Sequence, residues 1–241
     1  MLPLDLNCDL AEGEPAELTA ALMALLTSAN LACAGHAGSV DTLRRALDLG
    51  RSAGIHLGAH PGLPGHFGRG SVDHLTPNDF LSLLKEQIGL FLELATAAAL
   101  PMHHVKLHGA LYHATESTEA LRDTFIHFLL DHAPTTIVYA LAGGRTVAAA
   151  RAAGLPAWDE AFADRAYLPN GSLVPRSHPN ALITDPAAVA LRTARLARLQ
   201  PIPAIDGSPI PLRPQTLCLH ADSPNALILL QAARQALESM A

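Results

Sequence analysis

The sequence lacks the features that mark several large classes of protein. Only 16% of its 241 residues are charged, the formal net charge is −6 and no basic run is present, so no nucleic-acid partner is expected. The most apolar stretch, residues 88–100, contains Glu93 and is too short to span a membrane. The N-terminus lacks a basic, apolar signal segment. These absences predict a cytoplasmic protein with no membrane segment.

The motifs of several common enzyme classes are missing as well. The chain has no Gly-x-Ser-x-Gly, no Walker A loop, no Gly-x-Gly-x-x-Gly after a strand and no His-Glu-x-x-His. No serine-hydrolase elbow and no nucleotide or dinucleotide site can therefore be read from motifs. The three cysteines form no Cys-x-x-Cys pair, which is typical of small buried residues in a reducing compartment.

Lysine is almost absent, since the chain has 14 Arg but only Lys85 and Lys106. Lys85 lies in a predicted amphipathic helix, where we expect it to be solvated. Lys106 lies in an apolar strand, where burial is expected to disfavour its charged form and lower its pKa. A structural ion pair would be served equally well by Arg, so this pattern predicts a chemical role for Lys106.

The chain does contain four apolar segments with polar residues at every second position. They are residues 5–9, 56–60, 106–108 and 218–222. Alternate residues of a strand point to opposite faces, so each polar set shares one face. Helical patterns between the segments predict parallel strands with helices packed outside. The polar faces would then line a barrel or crevice; four half-exposed antiparallel strands are the alternative.

The order of elements predicts a (β/α) barrel with about seven units in one domain over residues 1–241. Strands are expected at 2–9, 28–33, 54–60, 104–108, 136–141, 155–160 and 216–220. Helices are expected at 15–27, 40–53, 77–100, 117–132, 143–154 and 186–199, with a last one from Ser223 and Pro224. Nearly every strand ends in a reactive residue, which favours a barrel over an open doubly wound sheet. The strand before Gly143 and Gly144 is the exception, and two glycines are weak evidence for a phosphate site.

Strand ends supply the candidate ligands. Asp5 and Asp9 share a strand face and could act as a general base or metal ligand, and His36 and His60 could complete a site for a divalent cation. Arg165, with Arg176 downstream, could clamp a carboxylate or phosphate.

Six segments resemble the LamB/YcsF family in order along the whole chain. They are residues 5–12, 28–38, 58–61, 105–112, 160–167 and 218–222. The resemblance implies a distorted, seven-stranded (β/α) barrel akin to glycoside hydrolases and polysaccharide deacetylases. It also implies the A-subunit role in prokaryotic 5-oxoprolinase, which opens 5-oxo-L-proline to L-glutamate. ATP is the co-substrate of that reaction, and the B and C subunits are the partners.

For such a reaction we expect Asp9 or Glu12 to position or deprotonate water, and Lys106 and His108 to stabilise the oxyanion or leaving phosphate. Arg165 or Arg176 would hold the substrate carboxylate. The other substrate-binding candidates are Asn7, Asn30, Glu160, Asp164, His220 and Asp222.

The sequence departs from the family pattern at several sites. Ala11, Ala34 and Ala221 replace glycines, Leu107 replaces a proline, and the loop 62–69 lacks an acidic residue and a second arginine. Alanine restricts the backbone angles that glycine allows, so the pocket shape is expected to differ.

Two other functions stay open at this point. One is a metal-dependent deacetylase or amidohydrolase that acts without ATP on another lactam or amide. The other is a non-catalytic subunit that binds a lactam for its partners. The subunit that binds ATP and the oligomeric state, a homo-oligomer included, are also open.

Overall fold

The computed structural model describes residues 2–65, 68, 70–223 and 225–240, in which strands and helices alternate. The strands are β1 (Asp5–Leu10), β2 (Ser28–Ala32), β3 (His56–His60), β4 (His104–Lys106), β5 (Ile137–Leu141), β6 (Ala157–Phe162), β7 (Ile202–Pro203), β8 (Pro209–Ile210) and β9 (Thr216–His220). The helices are α1 (Ala16–Met23), α2 (Val40–Ala53), α3 (Pro77–Ala97), α4 (Gly109–Ser117), α5 (Glu119–His132), α6 (Arg145–Ala152), α7 (Pro186–Ala197) and α8 (Ala226–Glu238).

Seven parallel strands form a closed barrel in the order β1-β2-β3-β4-β5-β6-β9. Strand β9 closes it by pairing with both β1 and β6, so that Asn7 aligns with Cys218 and Glu160 aligns with Thr216. The predicted (β/α) barrel is confirmed, and the half-exposed antiparallel alternative is wrong. Because the strands are parallel, their carboxyl ends all meet at one mouth, where such barrels hold their sites.

Local sequence signals set several helix starts. Thr76 accepts a hydrogen bond from the backbone N–H of Asp79, with Pro77 as the first helical residue, as predicted for α3. Asp185 caps α7 in the same way by accepting from the Ala187 N–H. These caps set the residues at which the two helices begin.

Most predicted elements differ from the structure by one to three residues at an end, and three places differ more. The first helix ends at Met23 rather than at residue 27, because Thr27 exchanges backbone and hydroxyl hydrogen bonds with Leu6 of β1. Helix α4 follows β4 from Gly109 and was not predicted, because glycine more often ends a helix than begins one. The connector at 200–214 contains the short antiparallel pair β7–β8.

Some sequence predictions fall outside the described residues. Pro224, predicted to start the last helix, lies outside them, as do His66, Phe67 and Arg69 of the loop 62–69.

The barrel wall separates an apolar layer from a polar interior. Leu6, Cys8 and Leu10 of β1 are fully buried and belong to the hydrophobic core under the helices. The alternating residues Asn7 and Asp9 are also buried but hydrogen-bond across the interior. Of the helices described, none is both long and apolar enough to cross a bilayer.

Candidate active site

Asp5 lies at the amino-terminal end of the barrel interior, away from the mouth. Its Oδ1 accepts a hydrogen bond from Thr27 Oγ1 at 2.6 Å, and its Oδ2 accepts from Ser28 Oγ at 2.8 Å and Thr216 Oγ1 at 2.5 Å. The Asp5 carboxylate therefore links β1 to residues of β2 and β9 at the bottom of the barrel. Asp5 has to be removed from the metal set predicted with His36 and His60, because it does not lie with them.

A ladder of hydrogen bonds connects the barrel interior with the carboxylates nearer the mouth. His104 Nε2 donates to Asn30 Oδ1 at 2.7 Å, and Asn30 Nδ2 donates to Asn7 Oδ1 at 2.7 Å and Asp9 Oδ1 at 2.8 Å. Asn7 Nδ2 in turn donates to Glu160 Oε1 at 3.1 Å. Asn7 and Asn30 thus hold two carboxylates in place. Sequence reasoning missed His104, although it precedes Lys106 and His108 at the same two-residue spacing.

Lys106 lies at the centre of the interior and is only 2% exposed. Its Nζ lies 2.9 Å from Asp9 Oδ1, 3.0 Å from Glu160 Oε1 and 3.0 Å from Cys218 Sγ. An ammonium group has three N–H donors, so each finds an acceptor. Phe162 covers the group, with its ring centroid 5.3 Å from Nζ.

The charge state of Lys106 differs from the sequence prediction. Burial alone would lower its pKa, but Asp9, Cys218 and Glu160 outweigh burial and hold the pKa of Lys106 well above its usual range. The predicted lowering is therefore wrong. Burial likewise opposes ionisation of Asp9, yet His60 and Lys106 hold the pKa of Asp9 well below its usual range. The two groups form a charged pair at pH 7.

Glu12, His36, His60 and His108 form a compact cluster at the mouth, with one ligand atom from each within 4.8 Å of the others. Glu12 Oε1 lies 3.0 Å from His36 Nε2 and 3.1 Å from His108 Nδ1. His60 Nε2 lies 2.9 Å from His108 Nδ1. A set of this composition could hold a divalent cation. The structure thus groups His36 and His60 with Glu12 and His108 rather than with Asp5.

The pKa values of Glu12 and His36 follow from burial and from the hydrogen bonds within the cluster. Burial lowers the pKa of His36 to about 4, against the hydrogen bond to Glu12. Burial alone would raise the pKa of Glu12, but the hydrogen bonds from His108 and His36 outweigh it and keep the pKa low. His36 is therefore neutral and Glu12 ionised at pH 7.

Asp164 and His220 form a second polar pair at the mouth. Asp164 Oδ2 lies 2.9 Å from His220 Nδ1 and also accepts from the His220 backbone N–H at 2.9 Å. Burial alone would raise the pKa of Asp164, but the charge and hydrogen bonds of His220 outweigh it and lower that pKa. The carboxylate orients the imidazole and leaves Nε2 to face other groups.

A cavity of about 360 Å³ opens at the mouth, within the size range of small-molecule sites. Its lining includes half of the twelve predicted catalytic and substrate-binding residues, together with the predicted metal ligand His60: Asp9, Lys106, His108, Arg165, Arg176 and His220. The other six do not belong to the lining: Asn7, Glu12, Asn30, Glu160, Asp164 and Asp222. Tyr112 and Phe162, which the sequence reasoning did not single out for a role, also line it. Both lie inside family-like segments, but neither carries a charge that would have marked it.

The two arginines in the lining differ in their partners. Arg165 is 4% exposed; its Nη2 donates to the Val174 carbonyl at 2.8 Å, whereas its buried Nε has no hydrogen-bond partner among the described residues. Arg176 is more exposed and forms an ion pair with Asp222 at 2.8 Å. Arg165 therefore has one N–H group without a partner among the described residues, while Arg176 already has a carboxylate partner.

The glycine pair at 143–144 does not offer open amides to a phosphate. The Gly143 N–H donates to Asp159 Oδ1 at 2.7 Å. The next amides, of Arg145 and Thr146, donate to the two carboxylate oxygens of Glu116 at 2.6 and 3.2 Å. These carboxylates occupy the position that an anion would need at the start of α6.

Ala11 and Ala34, which replace family glycines, adopt the left-handed conformation at φ 64° and 58°. A Cβ at positive φ crowds the backbone and costs roughly 1–2 kcal/mol. The glycines of the family pattern therefore correspond to a real conformational demand, which this chain meets with strained alanines.

Comparison with known proteins agrees with this architecture. The LamB/YcsF family matches residues 4–241. The 5-oxoprolinase A subunit of Neisseria meningitidis serogroup A is 39% identical over 239 residues, which is 98% of this chain and 96% of that protein. The 5-oxoprolinase A subunit of Limosilactobacillus fermentum is 39% identical over 240 residues, covering 98% and 95%.

Solved structures show the same fold. The lactam utilization protein from Thermus thermophilus superposes with a TM-score of 0.90 at 37% identity, covering 98% of this chain and 96% of that one. A family 4 carbohydrate esterase from Streptomyces lividans reaches a TM-score of 0.51 at 13% identity, covering 98% and 88%. The esterase is similar in fold alone.

Proposed function

Because the chain belongs to the LamB/YcsF family, we propose that it is the A subunit of a 5-oxoprolinase. In this proposal it opens 5-oxo-L-proline to L-glutamate with consumption of ATP, together with the B and C subunits. The names of the relatives from Neisseria meningitidis and Limosilactobacillus fermentum support the assignment, and the structural relative from Thermus thermophilus supports a lactam substrate.

One observation carries the proposal: a buried, charged Lys106 lies between Asp9 and Glu160 at the wall of a small cavity that also contains Arg165. An unstrained lactam needs its carbonyl oxygen stabilised as negative charge develops there. The Lys106 ammonium is held in place before the reaction and would act on that oxygen through its charge, because its three N–H groups already contact Asp9, Glu160 and Cys218. The Nε of Arg165, which has no hydrogen-bond partner among the described residues, is suited to the substrate carboxylate.

The remaining groups fit the other parts of the reaction. Coupling to ATP implies that the terminal phosphoryl group passes to the lactam oxygen and ADP leaves. Water then adds to the activated carbon, and the ring C–N bond breaks as the nitrogen takes up a proton. A second water hydrolyses the resulting acyl phosphate to glutamate and phosphate. Asp9 or Glu12 would deprotonate the water, and Lys106 with His108 would stabilise the oxyanion or the departing phosphate. The occupied amides near Gly143 favour a nucleotide site on a partner protein of the complex.

The test is a reconstituted assay of glutamate and phosphate release. The purified chain alone should show little ATP-dependent turnover, and addition of the cognate B and C subunits should restore it. Robust ATP-dependent turnover by the chain alone would contradict the requirement for partners.

A second candidate function is metal-dependent hydrolysis of a lactam or amide without ATP, and the cluster of Glu12, His36, His60 and His108 favours it. A bound cation would supply water activation there. Turnover that needs no ATP and disappears on chelation would favour this candidate over the first.

A further inference from the structure

The donor atoms of the Glu12, His36, His60 and His108 cluster are spaced like the ligands of one metal ion. The separations are 3.0 Å for Glu12 Oε1–His36 Nε2, 3.1 Å for Glu12 Oε1–His108 Nδ1, 2.9 Å for His60 Nε2–His108 Nδ1 and 3.7 Å for His60 Nε2–Glu12 Oε1. Ligands at ~2.1 Å from a tetrahedral zinc ion lie roughly 3.4 Å apart. Small adjustments would therefore place all four donors around one ion.

The imidazole of His60 is oriented for coordination. Its Nδ1 donates to the backbone carbonyl of Lys106 at 2.8 Å, which holds the ring so that Nε2 faces the cluster, 2.9 Å from His108 Nδ1 and 3.3 Å from Asp9 Oδ2. Histidine ligands of metals generally donate their other ring N–H in this manner.

The other two imidazoles are held by close packing. His36 and His108 stack in parallel with ring centroids 3.9 Å apart. Gly62 and Gly68 pack so tightly behind them that a Cβ on Gly62 would meet His36 Nδ1 at 2.5 Å, and one on Gly68 would meet His108 Cδ2 at 2.5 Å. Close packing thus keeps the two rings side by side, and they have to tilt out of the parallel stack for both donors to point at one ion.

We propose that Glu12, His36, His60 and His108 bind a transition-metal ion of the zinc class, distinct from the Mg²⁺ that accompanies ATP. Three imidazole nitrogens and one carboxylate suit zinc, cobalt, nickel or iron, whereas Mg²⁺ prefers an all-oxygen octahedral shell. The ion would adjoin the cavity, because His60 and His108 line it. The proposal concerns binding by this chain and holds whichever reaction the complex performs.

A neighbouring group of potential ligands does not compete for the ion. Asp9, Cys218 and His220 also bring ligand atoms within 4.8 Å of one another. The Lys106 ammonium, however, contacts both Asp9 Oδ1 at 2.9 Å and Cys218 Sγ at 3.0 Å. A cation there would have to displace a buried positive charge, so the ion belongs to the histidine cluster.

The test measures how much zinc the full-length chain binds. The chain is first stripped of metal with a chelator and then dialysed to equilibrium against ZnSO₄, and elemental analysis gives the bound zinc per chain. We expect one Zn²⁺ per chain, no displacement by millimolar Mg²⁺, and the visible absorption of a four-coordinate ion when Co²⁺ replaces Zn²⁺. His36→Gln and His108→Gln should each weaken binding by at least about 100-fold, since loss even of an outer-shell partner costs 10–100-fold.

His127→Gln is the matched control, because His127 is exposed on α5 outside the cluster; it should bind like the wild type. Circular dichroism shows whether the cluster variants remain folded, and Glu12→Gln, which keeps an oxygen donor and the side-chain shape, provides an independent variant. Absence of saturable stoichiometric binding would overturn the proposal. So would Zn²⁺ binding that the folded His36, His108 and Glu12 variants retain at full strength.

Discussion

Replacing Lys106 with Met should destabilise the protein strongly, because Lys106 compensates two buried carboxylates. Its ammonium lies 2.9 Å from Asp9 and 3.0 Å from Glu160, and all three side chains are nearly inaccessible to solvent. Removing one member of a buried ion pair typically costs about 3–5 kcal/mol, since the remaining charge is left uncompensated. For a chain of this size that loss corresponds to a fall in Tm of roughly 6–20 °C.

Urea denaturation and thermal melting at pH 7 measure the effect. Lys85→Met is a matched control, because Lys85 is the only other lysine and is exposed on α3; we expect a change within about 0.5 kcal/mol. The triple variant Lys106→Met, Asp9→Asn, Glu160→Gln should be more stable than Lys106→Met alone, since it removes the orphaned charges. A Lys106→Met protein whose stability lies within about 1 kcal/mol of the Lys85→Met control would refute the reasoning.

Two other predictions concern stability. Ala11→Gly and Ala34→Gly should each raise the free energy of unfolding by about 1 kcal/mol in urea denaturation, because glycine relieves the strain at φ 64° and 58°; a loss of stability in both would contradict this. Asp164→Asn should lower the free energy of unfolding at neutral pH, because His220 depresses the pKa of Asp164 in the folded state. The loss of stability relative to the wild type should be full above the unfolded-state pKa of ~3.9. It should shrink as the pH falls through the folded-state pKa. Melting curves between about pH 2 and 7 check this, and a deficit that does not depend on pH would count against the pair.

Much of the fold could be predicted from local pattern. The two-residue alternation of β1 placed Asn7 and Asp9 in the interior, and the Thr76-Pro77 and Asp185-Pro186 signals located the starts of α3 and α7. These features depend on strand geometry and on one or two neighbouring residues, so the sequence contains them directly. Helix α4 was missed since it begins at Gly109, a residue that more often ends a helix.

The site was harder to predict because its partners are distant in sequence. Alternation predicts which face a side chain takes but not its depth along the barrel, so Asp5 was grouped with His36 and His60 although it lies at the opposite end from them. The pKa of Lys106 was predicted in the wrong direction for a similar reason. Burial can be inferred from an apolar strand, whereas the flanking carboxylates of Asp9 and Glu160 come from other strands.

The central claim is that the chemistry takes place at this cavity, and the turnover of Asp9→Asn in the complete complex tests it most directly. The assay follows glutamate release with ATP and the B and C subunits present. Arg213→Gln, a substitution at an exposed position, is assayed in parallel as the control. We predict a loss of kcat of roughly 100-fold or more for Asp9→Asn, the usual scale for losing a general base, with the variant still folded by circular dichroism and with wild-type turnover for the control. A folded Asp9→Asn variant that turns over at the wild-type rate would contradict the claim and would favour a non-catalytic, lactam-binding role for this chain.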